Sequence, residues 1–254
     1  MKTIALAGKG GTGKTTLSAL LIRALLRAGH TPILAIDADP ATNLHLALGL
    51  PMPATVGDVR EDMLQAAQAQ QLGVAISRHD YLRQEVRMAL EEGESVDLLA
   101  MGRPEGQGCY CAVNHLLRLV VDELGGGYAC VVIDNEAGME HISRRTTKDV
   151  DLLLAVTDPT VRGLKTAVSI ARMAEDVEVN VKHTLLVVNR VQGELDPVMR
   201  EAIQASGLTV AGLIPADDQV NQLDARGEAL IQLDSESPAG QAIDDLARRI
   251  LTLI

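Results

Sequence analysis

The sequence predicts an α/β fold: a doubly wound, mostly parallel sheet with helices on both faces. Two observations predict it. Apolar runs of strand length alternate with helix-length segments, and a glycine-rich loop joins the first run to the first helical segment. The runs are rich in Val, Leu and Ile without polar alternation, which is typical of strands buried on both faces. Alternation with helices implies crossover connections between parallel strands. The predicted strands cover residues 3–7, 33–36, 96–101, 129–133, 152–156, 184–188 and 209–214.

The chain length of 254 residues suits one large domain, residues 1–254, with a full hydrophobic core. No internal repeat or low-complexity linker divides it. Segment 58–92 is polar with a helical pattern, and we interpret it as a helical insertion that covers one edge of the sheet rather than as a separate domain. Open sheets of this class bind ligands beyond the carboxyl ends of their strands, so the functional site is expected there.

The loop at residues 8–16 reads GKGGTGKTT and lies between the first strand and the helical segment 15–27. Strand, glycine loop, Gly-Lys-Thr and helix together form a phosphate-binding loop. Its glycines let backbone N–H groups turn toward a phosphate, and the helix N-terminus adds positive potential. We expect Lys14 to reach the β- and γ-phosphates and the Thr15 hydroxyl to bind Mg²⁺. The candidate nucleotide contacts are Gly8, Lys9, Gly10, Gly11, Thr12, Gly13, Lys14, Thr15 and Thr16.

The composition argues against nucleic acid as a partner. Trp and Phe are absent and only three Tyr are present, so there is no aromatic platform for bases. A formal net charge of −11 would repel phosphate backbones. We also expect no signal peptide and no membrane span, because the chain enters its first strand at once and no apolar run is long enough. Three cysteines beside a nucleotide site favour the cytoplasm, where disulfides are rare.

A second lysine, Lys9, stands near the start of the loop, where an ordinary phosphate loop does not need one. This spacing resembles the deviant Walker A motif of the family that contains MinD, Mrp, nitrogenase iron protein and the arsenical-pump ATPase. The resemblance implies a homodimer in which Lys9 reaches across the interface to the partner's nucleotide. There it would act on the transferring phosphoryl group as an arginine finger does.

Acidic residues follow two further strands. Asp37, Asp39 and Pro40 come after strand 33–36, and with Asn43 they resemble switch I of the family. The resemblance implies that Asp39 orients or polarises the attacking water, while Asp37 and Asn43 support the Mg²⁺ shell and the switch.

A Walker B strand precedes the second switch. Asp134 ends this apolar strand, and we expect it to hold Mg²⁺ through a water. One or two carboxylates with phosphate oxygens, here Asp134 and Asp39 beside Thr15, suit this hydrated cation. The pair Ala137-Gly138 matches the family's switch II, where the backbone N–H of Gly138 can approach the γ-phosphate.

Two strand ends are candidates for binding the base. In the family, an Asn placed like Asn189, here followed by Arg190, hydrogen-bonds the adenine ring, and an amide offers the donor and acceptor that adenine requires. Pro215 and Asp217 match the loop that closes over the base. Adenine is favoured over guanine because the Asn-Lys-x-Asp guanine signature is missing. We therefore expect ATP and ADP as the nucleotides.

Cys109 and Cys111 form a Cys-x-Cys pair just before the predicted helix 112–124. On extended backbone, residues i and i+2 point the same way, so both sulfurs can bind one metal. Two thiolates make an incomplete site, which a twofold axis would complete with four. Cys130 lies within a buried strand and is expected to be a core residue.

Alternatives to this shared site remain. His115 and His141 are other candidate ligands, and two reactive surface thiols or a strained disulfide are the alternative to a metal site.

The cysteine loop distinguishes branches of the family. Segment 102–109 resembles the loop before a cluster-ligating cysteine in nitrogenase iron protein, but Ala137 stands where that protein's second cysteine would fall. Cys109 with Cys111 instead resembles CooC-type ATPases, which help to insert nickel into carbon monoxide dehydrogenase. The resemblance implies a nickel metallochaperone with Mg²⁺ and ATP as cofactors, apo carbon monoxide dehydrogenase as client, and Zn²⁺ as a metal that can substitute.

Two alternative functions are an iron–sulfur electron-transfer ATPase and a MinD-like ATPase that positions itself on a membrane through a C-terminal helix. That helix, residues 239–254, carries Asp244 and Asp245 and only two basic residues, so we expect it to pack on the domain instead.

Overall fold

The computed structural model describes residues 1–59, 61–62, 87–102, 125–137, 149–176 and 180–254. These residues contain a seven-stranded sheet in the order β3-β2-β4-β1-β5-β6-β7, and every neighbouring pair is parallel. The strands are β1 (Lys2–Gly8), β2 (Ile33–Ala38), β3 (Val96–Ala100), β4 (Cys130–Asn135), β5 (Asp149–Thr157), β6 (Asn180–Val191) and β7 (Val210–Pro215).

Helices connect several of the strands within the described residues, and local sequence explains where some of these helices begin. Pro197 and Pro238 each occupy a first helical turn, where proline's missing N–H is no loss. The side chains of Asp196, Asp217 and Ser237 accept backbone N–H bonds at three helix starts. The helices are α1 (Lys14–Arg27), α2 (Leu44–Leu48), α3 (Val161–Asp176), α4 (Pro197–Ser206), α5 (Asp218–Arg226) and α6 (Pro238–Leu251).

The hydrophobic core lies on both faces of the sheet. Alternate residues of β1 point to opposite sides: Ile4 and Leu6 pack with α1 and α6, whereas Ala5 and Ala7 share a cluster with Ile170 of α3. This two-sided burial is the physical reason for the unbroken apolar runs in the sequence. The predicted doubly wound fold is therefore confirmed, and each predicted strand overlaps an observed one.

The predicted insertion is only partly within the described residues. Residues 56–59, 61–62 and 87–88 are helical. The prediction that the helical pattern runs to residue 92 is wrong, because Glu91 forms an antiparallel bridge with Leu98 of β3 through two bonds of 2.9 Å. The end of this segment thus pairs with the sheet edge. The remainder of the insertion and the predicted helix 112–124 lie outside the described residues, and the single-domain interpretation stays a prediction.

The C-terminal helix packs as expected. One face of α6 is buried against α1 and β7, with Ile243, Leu246 and Ile250 almost inaccessible to solvent. Its apolar face is therefore occupied by the domain itself. Among the helices that the structure describes, none has both the length and the apolar character needed to cross a membrane.

Candidate nucleotide-binding and hydrolysis site

Three adjacent strands bring the predicted phosphate and magnesium residues together. β4 lies between β1 and β2, and Asp134 is the register partner of both Leu6 in β1 and Asp37 in β2. The phosphate loop follows β1 directly. Because the strands are parallel, the loop, the Asp37 turn and Asp134 all meet at the carboxyl ends of these three strands.

Hydrogen bonds within the phosphate loop shape it. The Thr12 hydroxyl donates to the Lys9 carbonyl at 2.8 Å, and the Lys14 ammonium approaches the same oxygen at 3.4 Å. Gly13 has φ of 82°, a left-handed conformation, and immediately precedes α1. The loop therefore turns sharply into the helix, which directs the helix N-terminus toward the loop interior.

Lys14 lies almost buried among carboxylates. Its exposed fraction is 7%, and burial lowers the pKa of its ammonium, while the charges of Asp134, Asp39 and Glu136 act to raise it. The ammonium is thus poorly solvated and lies near three acidic groups. A poorly solvated ammonium is stabilised when it contacts an anion, which fits the predicted contact of Lys14 with the β- and γ-phosphates.

Asp134 is an almost fully buried acid of the site. Burial raises the pKa of its carboxyl to about 6, although hydrogen bonding from Thr15 and Ser18 and the Lys14 charge lower it. The Ser18 hydroxyl donates to Oδ1 at 3.2 Å, whereas Oδ2 has no hydrogen-bond partner in the described part of the chain. A buried carboxylate oxygen without a hydrogen-bond donor fits a Mg²⁺ held through a water. The residues present therefore suit the predicted cation.

The switch I turn is organised by Asp37. Its two carboxylate oxygens accept from the backbone N–H groups of Asp39 at 3.0 Å and Leu44 at 2.8 Å, and burial raises its pKa to about 7. Asp39 is half-buried, and its Oδ1 accepts from the Ala41 N–H at 2.9 Å. Asn43 is exposed at the start of α2. Asp37 thus ties the turn to α2, and Asp39 is the more exposed of the two acids.

The phosphate loop also lies close to the predicted second switch. A Cβ placed on Gly10 would lie 3.5 Å from the Cβ of Ala137, so little more than a methyl group separates the two residues. Gly138, the predicted γ-phosphate contact, lies outside the described residues. Its role stays a prediction.

A cavity of about 270 Å³ lies beside the phosphate loop, between β6, β7, α1, α5 and α6. The base-binding residues predicted from sequence all line it. Gln192, Asn221 and Asp224 also contribute polar atoms, which sequence reasoning missed because no motif marks them. The lining residues are Thr16, Leu17, Leu20, Asn189, Arg190, Gln192, Ile214, Pro215, Ala216, Asp217, Val220, Asn221, Asp224, Ala239 and Ile243.

Asn189 and Arg190 bond to the phosphate loop as well as lining this cavity. The Asn189 amide donates to the Thr12 carbonyl at 2.8 Å and accepts from the Arg190 N–H at 3.0 Å. The Arg190 guanidinium donates to the Gly11 carbonyl at 2.9 Å. The Asn189 amide has a second N–H and a further acceptor lone pair that these bonds do not use. Both suit adenine, and the contact of Asn189 with adenine stays a prediction.

Asp217 serves mainly as a cap that joins two helices. Its Oδ1 accepts from the Gln219 N–H, and its Oδ2 accepts from the Ser237 hydroxyl at 2.6 Å and the Ala239 N–H at 3.0 Å. Burial alone would raise its pKa, but these hydrogen bonds lower it below the ordinary value. Asp217 therefore fixes the wall of the cavity at the N-termini of α5 and α6.

The cysteines differ in what the structure describes. Cys109, Cys111 and the alternative ligands His115 and His141 lie outside the described residues. Cys130 is fully buried in β4, and burial raises the pKa of its thiol, as expected for a core residue. Among the described residues, no group of three or more His, Cys, Asp or Glu side chains is arranged to hold a metal ion.

Replacing Gly13 by alanine is expected to weaken nucleotide binding by at least tenfold. Gly13 has φ of 82°, and a Cβ there would approach the Asn189 amide nitrogen to 2.6 Å. Alanine would therefore strain the backbone and push Asn189 away from Thr12. Equilibrium ATP binding measures the loss. Gly29→Ala is the matched control, because Gly29 has φ of 85° but nothing within 4 Å of its added Cβ. Equal losses in both variants would contradict the steric argument.

Comparison with known proteins identifies the family. Residues 3–231 match the CobQ/CobB/MinD/ParA nucleotide binding domain. An uncharacterised ATP-binding protein of Methanocaldococcus jannaschii is 40% identical over 248 residues, which is 98% of each chain. The carbon monoxide dehydrogenase accessory protein CooC of Rhodospirillum rubrum is 33% identical over 245 residues, 93% of this chain and 90% of that protein.

The fold agrees with a solved member of this group. The cell division ATPase MinD of Pyrococcus furiosus superposes with a TM-score of 0.72 at 24% identity, covering 100% of this chain and 99% of that one. The family match over residues 3–231 and the two relatives, together with the phosphate loop and its neighbouring acids, show that the chain belongs to the CobQ/CobB/MinD/ParA family and is an ATPase of that family.

Proposed function

We propose that the protein is a homodimeric, Mg²⁺-dependent ATPase that binds nickel at Cys109 and Cys111 and supports nickel insertion into carbon monoxide dehydrogenase in the cytoplasm. Hydrolysis of ATP to ADP drives its switch. The observation that carries the proposal is the 33% identity with CooC across 93% of the chain, in a sequence that has a Cys-x-Cys pair.

ATP binds across the carboxyl ends of β1, β2 and β4. Its phosphates lie in the loop against Lys14, and Mg²⁺ is held by Thr15 and through water by Asp134, with Asp39 near the attacking water. The unpartnered Oδ2 of Asp134 and the carboxylates around Lys14 support this arrangement. The base enters the cavity lined by Asn189 and Pro215.

Lys9 makes the dimer part of the mechanism. Its carbonyl accepts bonds from the Thr12 hydroxyl and the Lys14 ammonium, which fixes where its side chain leaves the loop. From that position it reaches the nucleotide of a second subunit and adds positive charge to the transferring phosphoryl group.

The metal is held at the twofold axis of this dimer. Cys109 and Cys111 from each subunit provide four thiolates, a ligand set that suits Zn²⁺ as well as Ni²⁺. Nickel is proposed from the relative that is named for carbon monoxide dehydrogenase, not from ligand type.

Hydrolysis changes the loops that surround the γ-phosphate. Asp37 links the switch I turn to α2 through the N–H of Leu44, and Gly10 lies close to Ala137 of switch II. When the γ-phosphate leaves, both segments lose a ligand that held them in place. The geometry of the four thiolates then changes and the metal passes to the client.

Anaerobic metal titration of the purified protein tests the proposal. Ni²⁺ and Zn²⁺ are added separately, and binding is followed by native mass spectrometry and absorbance. We expect one metal per dimer, with thiolate-to-nickel charge-transfer bands. The double variant Cys109→Ser, Cys111→Ser should lose the bands and the bound metal. Cys130→Ala is the matched control and should keep both, because Cys130 is buried in β4.

Two results would contradict the proposal. Full metal stoichiometry in the double serine variant would place the metal at other residues. A brown, iron-containing protein would instead favour electron transfer by an iron–sulfur cluster on the same cysteines.

A further inference from the structure

A bulge at the end of β6 directs two side chains toward the phosphate loop. The pairing of β6 with β7 shifts register between Val188 and Val191, so Asn189 and Arg190 lie within an irregular stretch of the strand. Arg190 has φ of 59°, which is uncommon for a residue other than glycine. Bulges of this kind re-aim side chains near functional sites, and a strained backbone persists where surrounding contacts hold it.

Both side chains bond to carbonyl oxygens of the loop. The Asn189 amide reaches the Thr12 carbonyl at 2.8 Å, and the Arg190 guanidinium reaches the Gly11 carbonyl at 2.9 Å. Asn189 is 6% exposed, so its bond is shielded from water. Gly13 leaves the space for this approach, because a Cβ there would lie 2.6 Å from the Asn189 nitrogen.

These bonds determine which way the loop presents its N–H groups. A peptide unit is planar and trans, so the carbonyl of Thr12 and the N–H of Gly13 lie in one plane and point in opposite directions. When Asn189 holds the Thr12 carbonyl outward, the Gly13 N–H turns toward the loop interior, where a phosphate binds. Arg190 holds the preceding carbonyl, that of Gly11, in the same outward orientation.

We infer that Asn189 and Arg190 are positioning residues that hold the phosphate loop in its binding conformation from the β6 bulge, before any nucleotide enters. The inference uses only the ATPase activity of the family and does not depend on nickel. Both residues also line the base cavity, so the same two side chains contact the phosphate loop and border the base site.

Hydrogen–deuterium exchange of the nucleotide-free protein tests this role. Asn189→Asp keeps the size of the side chain but removes the N–H donor, and Arg190→Gly removes the guanidinium while glycine accepts the positive φ. We expect exchange of the loop segment 9–13 to become about tenfold faster in each variant, the change expected from losing one hydrogen bond. Arg226→Ala, which removes an exposed arginine paired with Glu228, is the matched control and should leave loop exchange unchanged.

Nucleotide binding gives a second readout. Loosening of the loop should weaken binding of Mg-GTP as well as Mg-ATP, because both carry the same triphosphate. Any additional loss that is seen with ATP alone comes from the base contacts of these residues. Unchanged exchange of segment 9–13, with a loss confined to ATP, would overturn the inference and leave Asn189 and Arg190 as base contacts only. Faster exchange throughout the protein would also overturn it, because the two residues would then support the fold in general.

Discussion

Replacing Asp39 by alanine is expected to reduce ATP turnover by about 100-fold or more while ATP binding stays within a few-fold of the unsubstituted protein. Asp39 is half-buried at the turn after β2, and its charge acts on Lys14, where it opposes the burial that lowers the pKa of that ammonium. A carboxylate in this place can orient or polarise water beside the γ-phosphate. Phosphate release in a single turnover measures the chemical step, and equilibrium binding of ATP measures affinity.

Asp39→Asn separates chemistry from loop shape. The Asp39 carboxylate also accepts the N–H of Ala41 at 2.9 Å, and asparagine can keep that bond through its amide oxygen. A neutral amide is a much weaker base, so turnover should be lost in both variants if the charge matters. Turnover that is lost in Asp39→Ala but retained in Asp39→Asn would show that Asp39 only shapes the turn.

Replacing Asp217 by alanine is expected to lower the free energy of unfolding by about 3 kcal/mol. The carboxylate accepts three hydrogen bonds, from Gln219, Ser237 and Ala239, and so joins the N-termini of α5 and α6. Its loss leaves a buried hydroxyl and two backbone N–H groups without this acceptor. Urea denaturation measures the change.

Asp196→Ala is the matched control for a helix cap. Asp196 is exposed and accepts one bond, from the Val198 N–H at 2.8 Å at the start of α4. Losing a single exposed cap typically lowers the free energy of unfolding by about 1 kcal/mol. An equal loss of stability in the two variants would show that the link between α5 and α6 contributes nothing beyond capping.

The stabilisation by Asp217 should depend on pH in a defined direction. Its pKa is lower in the folded protein than in the unfolded chain, so the folded state favours the ionised form. This contribution is complete above the unfolded value, about 4, and is lost as pH falls through the folded value. The difference in unfolding free energy between the unsubstituted protein and Asp217→Ala should therefore shrink below about pH 4. If the difference in unfolding free energy between the two proteins stayed constant down to about pH 3, the lowered pKa of Asp217 would be contradicted.

The sequence predicts best where one local pattern has one structural meaning. Strand β4 is an apolar run with Asp134 near its end, and such an unbroken run is typical of a strand that is buried on both faces. The phosphate loop is similarly local, because its glycines, Lys14 and Thr15 act within one turn of chain. The end of the insertion was predicted wrongly, since Glu91 pairs with β3 through backbone bonds that no side-chain pattern encodes.

Asn189 and Asp217 show what local pattern leaves open. The sequence indicates that both lie near the base, and the structure places both in the cavity lining. It also gives them bonds to residues far away along the chain: Asn189 to Thr12 in the loop, and Asp217 to Ser237 in the next helix start. Those partners depend on the bulge in β6 and on how α5 meets α6, which are consequences of packing.

By itself, the sequence determined the apolar strands, the phosphate loop and the acids near the ends of β2 and β4, because each arises from neighbouring residues along the chain. Only the tertiary structure decided that β4 lies between β1 and β2, that Lys14 is desolvated beside Asp134, and that Asn189 and Arg190 hold the loop by its carbonyls. The physical reason is that burial and hydrogen-bond partners depend on elements distant in sequence, which come together only when the sheet and its helices pack.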